Sequence, residues 1–595
     1  MIAPRRVDRT IARCGAVAAL AAILVLAGCA PALPKTVVSG TEVTVAWDAG
    51  VASLNPGSVT GATPGGLDVA ELTRGEFADI DGDEVVPDPS FGTVTLLDDE
   101  GLTVRYDLAS PTWSDGIPVD AADLLLGWAA ASNFHGPDGF DPLAVRGEDG
   151  TLDLPEGVAW FDSVRSGLTG SADVPRVDEF ARSIEVELAA PVRDWQTALD
   201  VAVPAHVIAA TALGLDDPME AKQAVSEAVL DGDGEALAAI ARAWNGALTL
   251  TPGEDPDSSQ LISSGPYRIA DLAWEQGGQR IEFVANGAYA GEPTPTYERV
   301  VLSPAGDDPA AGIGAAFDIA QVAPTGANRR TVRDLERTDH PVTAAHDGTM
   351  WVLLLKPRGV FGPAAARLAF LHAIPKADVV EAAAGEWKEH YSSTDAMLFA
   401  PSERGYEIAM EDAGFRDTIG HPTGRAADER SAAGVPAGAR VCVLYDKLSE
   451  FAVRAFAALR DGTAEAGWTV ADCGAEDAAP ASPGWDAAIL RVPIPRDAAE
   501  IGAQWGAGSP GALAGDGSAE RDALIAQYAH TADAYAARDV RVQIEASIVT
   551  SAVALPLAVN PRVTLVDKDV TGVVARPGAS ASVTWGAAAW SPSQD

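Results

Sequence analysis

Trp485, Trp505 and Arg491 are residues of types that recognise small molecules. An indole offers a flat apolar face with one N–H, and a guanidinium offers a fork to a carboxylate. Each also has a plainer use, since a Trp is more often core than cleft lining and an Arg serves equally in an internal ion pair. Patterns for catalysis are missing. There is no G-x-S-x-G elbow, no H-E-x-x-H helix and no G-x-x-x-x-G-K-S/T loop in the sequence. The eight histidines are scattered, with no pair at metal-ligand spacing on one helix, and His340 and His346 fall in a loop-like stretch. Asp81/Asp83 and Asp98/Asp99 read as solvated turns in a chain with 85 acidic residues. Gly312 and Gly314 lack the helix start that a phosphate loop needs. The expectation is a binding protein with no catalytic residue, no metal site and no cofactor.

The elements that must position such residues centre on Trp113–Trp128. Just before it, Leu102, Val104, Tyr106 and Leu108 alternate with Thr103, Arg105, Asp107 and Ala109, the period of a half-buried strand. Ser114-Asp115-Gly116 is turn chemistry. Asp120 suits a helix N-cap, with Asp123 three residues on in the capping-box position. Leu124, Leu125 and Trp128 give that helix an apolar side. Thr41–Asp48 alternates as a strand, and Leu54-Asn55-Pro56 leads into a Gly/Ser/Thr/Pro-rich loop. Trp351–Leu355 reads as a strand opening a second lobe. Val441–Tyr445, Leu448–Ala466 and Trp468–Asp472 read as strand, helix and strand.

At 595 residues the chain is too long for one core, so two or three domains are expected. A net charge of −43 excludes a nucleic-acid surface, which needs a basic patch. Arg5, Arg6, Arg9 and Arg13 precede an apolar run, Gly15–Ala27, that is too short to span a membrane. The run ends in Leu26-Ala27-Gly28-Cys29, which resembles the lipobox of bacterial lipoproteins. That resemblance makes Cys29 the lipidated first residue of a chain exported to the extracellular face of the cell membrane. Cys442 and Cys473 remain, in a compartment that permits disulfides. On neighbouring parallel strands they would be staggered by three or four residues, about 10–13 Å, beyond a disulfide's reach. Their closeness in an exported chain argues the other way, and both readings stand.

Several stretches resemble one family in its own order. W-S-D-G-I-P-V-D-A-A-D at Trp113–Asp123 is similar to the "WSDG-x-P-x-x-A-x-D" signature of the family 5 extracellular solute-binding proteins, the peptide- and nickel-type receptors of bacterial ABC importers. Ser264-Gly265-Pro266-Tyr267 resembles the family's "S/T-G-P-Y" strand, with Ser263 in place of a Gly. Arg367, Ala369, Ala373, Ile374 and Lys376 resemble its "R-x-A" helix, with Pro375 where Asp or Asn is usual. Trp485-Asp486-Ala487 and Ala554-Leu555-Pro556-Leu557 resemble two of its later strands, and Asn55 stands for the usual Asp of "L-D-P".

The resemblance implies an α/β, two-lobe periplasmic-binding-protein-like fold. It implies a signal peptide over residues 1–28, a tether over 29–40, a first lobe over 41–325 with a subdomain inserted at about 76–182, a second lobe over 326–552, and a return to the first over 553–595. Hinge strands are expected near Asp318–Arg329 and Ser547–Asn560. The implied protein is a monomer without nucleic-acid partners. It meets a peptide-like ligand, the ABC permease subunits and, through its lipid, the membrane. Val59-Thr60-Gly61 is placed on one cleft wall, and Arg491 and Val492 on the other. Relatives that bind peptides hold the free amine with an acid soon after that second segment. Here Pro495 occupies the place, Asp497 follows slightly beyond, and "G-W-x-x-D" is absent. Two other readings are a receptor for a non-peptide solute and a signalling or interaction lipoprotein that kept the fold without transport. Cys29→Ser is expected to release the protein from membranes, and a variant that still sediments with them would refute the lipobox reading.

Overall fold

The computed structural model describes residues 33–593 apart from 82–83, 99, 148–149, 421–423 and 579–581. The leader, Cys29, Asp83 and Asp99 therefore lie outside the described residues. Among the described residues no helix is long and apolar enough to cross a membrane.

A ten-stranded sheet runs through the molecule. Its strands are β1 (Val38–Trp47), β2 (Tyr267–Glu275), β3 (Gly278–Ala285), β4 (Tyr297–Pro304), β5 (Ile319–Val322), β6 (Val342–Leu355), β7 (Ala439–Tyr445), β8 (Trp468–Asp472), β9 (Ala487–Pro493) and β10 (Ala554–Val566). The order across the sheet is β8-β7-β9-β6-β10-β5-β1-β4-β3-β2. β6 and β10 are the long members, antiparallel from Val342 opposite Leu565 to Leu354 opposite Ala554. At one end β10 pairs with β5, and at the other β6 pairs with β9, so the pair belongs to both halves. Its register shifts between His346 and Met350. Residues 347–349 and Asn560 lie at that shift. Asp318–Arg329, where a hinge strand is expected, holds β5, a loop and the start of a helix.

Period-two alternation decides which core each strand feeds. Trp351, Leu353 and Leu355 of β6 enter one cluster with Val443, Phe451 and Leu459, whereas Met350, Val352 and Leu354 enter another with Leu490, Trp505 and Ile544. Both faces of this half are covered. The other half packs β1, β3 and β4 against Trp113, Leu125, Trp128 and Trp244. A separate four-stranded antiparallel sheet combines Gly92–Leu96, Thr103–Leu108, Ser183–Glu187 and Arg176–Val177. Val104, Tyr106 and Leu108 are its buried side, as their alternation requires.

The helix Ala121–Ser132 starts with the capping box read from the sequence, Asp120 on one side and Asp123 on the other. Asp123 does more than cap. Its fully buried carboxylate accepts from Ala205 N at 2.8 Å and from Lys222 Nζ at 2.7 Å. Lys222 in turn reaches Asp120 at 3.0 Å and the Pro118 carbonyl at 2.5 Å. Nearby, Asp115 bonds the buried His206 ring at 2.9 Å. The acids of this stretch therefore tie the helices around residues 205–231 to the subdomain.

Cys442 and Cys473 are bonded, with Cα atoms 5.6 Å apart. Cys442 stands opposite Ala471 in the parallel β7–β8 register, so Cys473 lies two positions on, not three or four. Its N–H, bonded to Val443 O at 3.1 Å, turns it back toward β7.

Lys222→Met leaves the Asp123 carboxylate buried without its cation, and urea unfolding should show a loss of about 3–5 kcal/mol. Arg454→Met, in the exposed pair with Glu450, should cost less than about 1 kcal/mol.

Candidate functional site

The two lobes meet along one line of contacts. Arg193 N donates to Ala529 O at 3.0 Å, the His530 ring bonds Pro191 O at 2.9 Å, and Arg404 pairs with Glu84 at 2.8 Å. The residues singled out in the sequence take different positions relative to the space behind those contacts.

Val59 is exposed, but its N–H donates to Asp162 O at 2.9 Å. Gly61 N–H goes to Ser58, and Ser58 bridges Ser163 antiparallel. The Val59-Thr60-Gly61 backbone is thus largely committed within the chain. Gly61 is required there, because a Cβ would fall 1.9 Å from Asn55 O. Asn55 is buried, donating from Nδ2 to Trp244 O at 2.9 Å and accepting from Gly57 N at 3.1 Å. An amide does both jobs and an ionised carboxylate cannot donate, which accounts for Asn in this place.

On the other side, Trp485 and Trp505 are each 1% exposed and belong to one core cluster. Lys356 Nζ covers the Trp485 ring at 4.0 Å. Neither indole faces the cleft, and Val492 points into the same core. Arg491, opposite Trp351, keeps half its side chain in water and lies 3.9 Å from Asp347. Asp347 accepts from Asn560 Nδ2 at 2.7 Å, and Asn560 Oδ1 accepts from Trp351 Nε1 at 2.9 Å. Asp497 is the N-cap of the helix Ala498–Trp505 and accepts from Glu500 N at 2.8 Å.

The structure adds a charged wall that the sequence reading missed. Glu76, Phe77, Phe91, Arg165, Gln196 and Asp200 line a small, partly open recess with room for about 10 Å³ of water centres. Arg165 donates from Nη1 to Thr197 O at 2.8 Å and holds Nε 3.8 Å from Asp200. Arg74, the C-cap of the helix Pro64–Thr73, donates from Nη2 to Leu54 O at 2.8 Å, while its Nη1 is buried without a partner among the described residues. Glu76 is exposed, yet burial and then repulsion from Asp200 push its carboxyl up to about 8. A group that touches water and is still desolvated lines a narrow wet recess. Burial likewise lowers the Arg74 guanidinium to about 10. Burial raises the Asp194 carboxyl; Arg193, Arg165 and Arg541 oppose that shift, and Asp497 adds to it. Asp194 and Arg165 of the first lobe thus face Asp497 and Arg541 of the second. Arg496, paired with Glu500 at 2.8 Å, extends the second wall.

Both signs of charge converge in a partly dry space, where Coulomb terms are stronger than in water. Such a space can hold a ligand that carries charges of both signs. The one sequence signal for it is Arg74-Gly75-Glu76 interrupting Leu72 and Phe77.

A family model described as "Bacterial extracellular solute-binding proteins, family 5 Middle" matches residues 97–409. Uncharacterized lipoproteins of Mycobacterium tuberculosis (strain ATCC 25618 / H37Rv) and Mycobacterium leprae (strain TN) are each 27% identical, over 336 and 375 residues. Those matches span 55% and 62% of this chain but only 54% and 59% of the relatives, little more than half their length. The fold is similar to that of the periplasmic EDTA-binding protein EppA, with a TM-score of 0.72, 16% identity, and coverage of 95% of this chain and 98% of that one. It is also similar to the oligopeptide-binding protein AppA from Bacillus subtilis in complex with a nonapeptide, at 0.59, 13%, 93% and 99%. NikZ from Campylobacter jejuni in complex with Ni(L-His) gives 0.61, 14%, 94% and 100%.

The recess carries a pH signature. Glu76 ionises near 8 in the folded chain against an ordinary 4.5, so the folded form holds a proton that the unfolded form has lost between those values. Its contribution to stability therefore falls as pH rises through that window. Melting points measured from pH 4.5 to 8 should decline less steeply for Glu76→Gln than for the wild type.

Proposed function

The chain belongs to the family 5 bacterial extracellular solute-binding proteins, and from that premise we propose that it captures a short peptide between its lobes and delivers it to an ABC permease. The opposed charges carry this reading: Arg74, Glu76, Arg165, Asp194 and Asp200 on one side, Asp497 and Arg541 on the other. An extended peptide has a cation at one end, an anion at the other and side chains between. The Leu490–Val492 edge of β9 runs past the last pairing with β7 at Ile489, which leaves backbone groups for strand addition on that side. Strand addition to Val59–Gly61 is not part of the proposal, because those N–H groups are bonded to Asp162 and Ser58. Asp497 would meet the ligand's amine with the oxygen that does not cap its helix. The function involves capture, closure and release, with no catalytic step. The Leu26–Cys29 segment and the lipoprotein relatives support a lipid anchor at Cys29 on the outer face of the membrane.

A non-peptide solute is the second reading. Pro493 and Pro495 remove two backbone donors beside the open edge of β9, which weakens strand addition there.

Native mass spectrometry of the chain purified from a peptide-rich medium decides between them. A ladder of bound masses matching short peptides is expected, and Arg165→Met should reduce the bound fraction. A single non-peptide mass would replace the peptide with another solute. An empty protein that ignores a peptide library would overturn transport and leave an interaction lipoprotein.

A further inference from the structure

Arg329 is the first residue of the helix Arg329–Arg337, on the crossover from β5 to β6. It is 8% exposed, and among the described residues its Nε and Nη1 have no hydrogen-bond partner. The guanidinium lies over the Trp387 ring at 4.5 Å. That indole is fixed by its own N–H, which donates to Thr325 O at 2.8 Å. His390 stands edge-on to the same ring at 5.2 Å, and its Nδ1 is also buried without a partner.

These facts conflict with a purely structural role. A cation in the first turn stands at the positive end of the helix dipole, where charge of its own sign is disfavoured. Asn328, at the N-cap, gives the helix no side-chain cap. Its Oδ1 instead accepts from Thr325 N at 3.1 Å and its Nδ2 donates to Ala323 O at 2.7 Å. The first-turn N–H groups are thus left without that acceptor. A buried N–H without a partner is costly, and more so on a charged group. Of the acids nearby, Glu450 is engaged elsewhere. Glu450 accepts from Gly326 N at 3.0 Å and pairs with Arg454. Glu336 and Glu389 face His390, where they oppose the effect of Arg329. Arg330, Arg333 and Arg337 add three more cations to the nine-residue helix, beside Asp334, which pairs with Arg337, and Glu336.

Every unmet group here is a donor or a ring nitrogen that can donate. We propose that Arg329, His390 and the first turn of this helix bind a small tetrahedral oxyanion, phosphate or sulfate, with Trp387 as the platform under the guanidinium. The site shares no residue with the recess at Glu76. It joins the crossover to the Gly385–Tyr391 segment, whose Tyr391 stacks on Phe451 at 4.9 Å.

Calorimetric titration of the full chain with inorganic phosphate, at ionic strength fixed with sodium chloride, tests this. One saturable site is expected, with a rise in unfolding midpoint on the order of 1–2 °C at saturation. Sulfate should compete and acetate should not. Arg329→Gln should weaken phosphate at least about tenfold, and the exposed Arg330→Gln no more than about twofold. Should Arg329→Gln fail to fold, tryptophan fluorescence decides: phosphate must change the wild-type signal, and Trp387→Phe must remove that change. A wild type that takes up neither phosphate nor sulfate, an Arg329→Gln chain that binds unchanged, or acetate bound as tightly as phosphate would overturn the proposal.

Discussion

The pairing of β6 with β10 is the constraint on which the rest of the molecule depends. Each strand belongs to both lobes, and nearly all of β10 is buried on both faces. Buried backbone donors and acceptors must be paired, so the lobes cannot slide apart without breaking a ladder. The ladder is interrupted between His346 and Met350, opposite Val559–Pro561, and its register shifts again between Trp351 and Val352. Pro561 lacks an N–H, which suits a break in the register. The Asp347–Asn560–Trp351 hydrogen bonds sit on that break, with Arg491 beside them.

Around this pairing, buried carboxylates hold the walls in place. Asp123 binds Lys222 and Ala205 N in the first lobe. Asp68 takes the Trp47 indole N–H at 2.8 Å, the Ser582 hydroxyl at 2.8 Å and Val583 N at 3.0 Å, fastening the C-terminal segment to the lobe where the chain began. In the second lobe Glu545 grips Met397 N and Leu398 N at 2.9 and 2.8 Å, and burial pushes it up to about 7. Each lone acid satisfies several donors at once, which is how a charge is tolerated inside. Among the charges of the cleft, Glu76 and Arg491 keep contact with water.

The individual residues show what a sequence can and cannot reveal about such a site. The capping box at Asp120 and Asp123 was legible because caps are local: two side chains meet across one helical turn. The burial of Trp485 and Trp505 was not. Which face of β9 or of the following helix meets solvent depends on what packs against it from Phe399, Ile544 and Ile548, far along the chain. Val59, expected on a cleft wall, is exposed, but its N–H is taken by Asp162, about a hundred residues away. Arg74 and Glu76 share one segment, but Arg165 and Asp194 come from two others, and no spacing connects the three.

The sequence by itself determined the local periods, the helix starts, the large negative charge and the order of motifs from which family and fold follow. Those features are set by neighbours within a few residues, or by composition, and need no partner from elsewhere. Only the tertiary structure decided the stagger of Cys442 and Cys473, the break in the β6–β10 ladder, and the charges that share the recess. Each of these depends on strand register or on long-range burial. A shift of one residue in register reverses every side chain, so such choices are fixed only when the whole sheet closes.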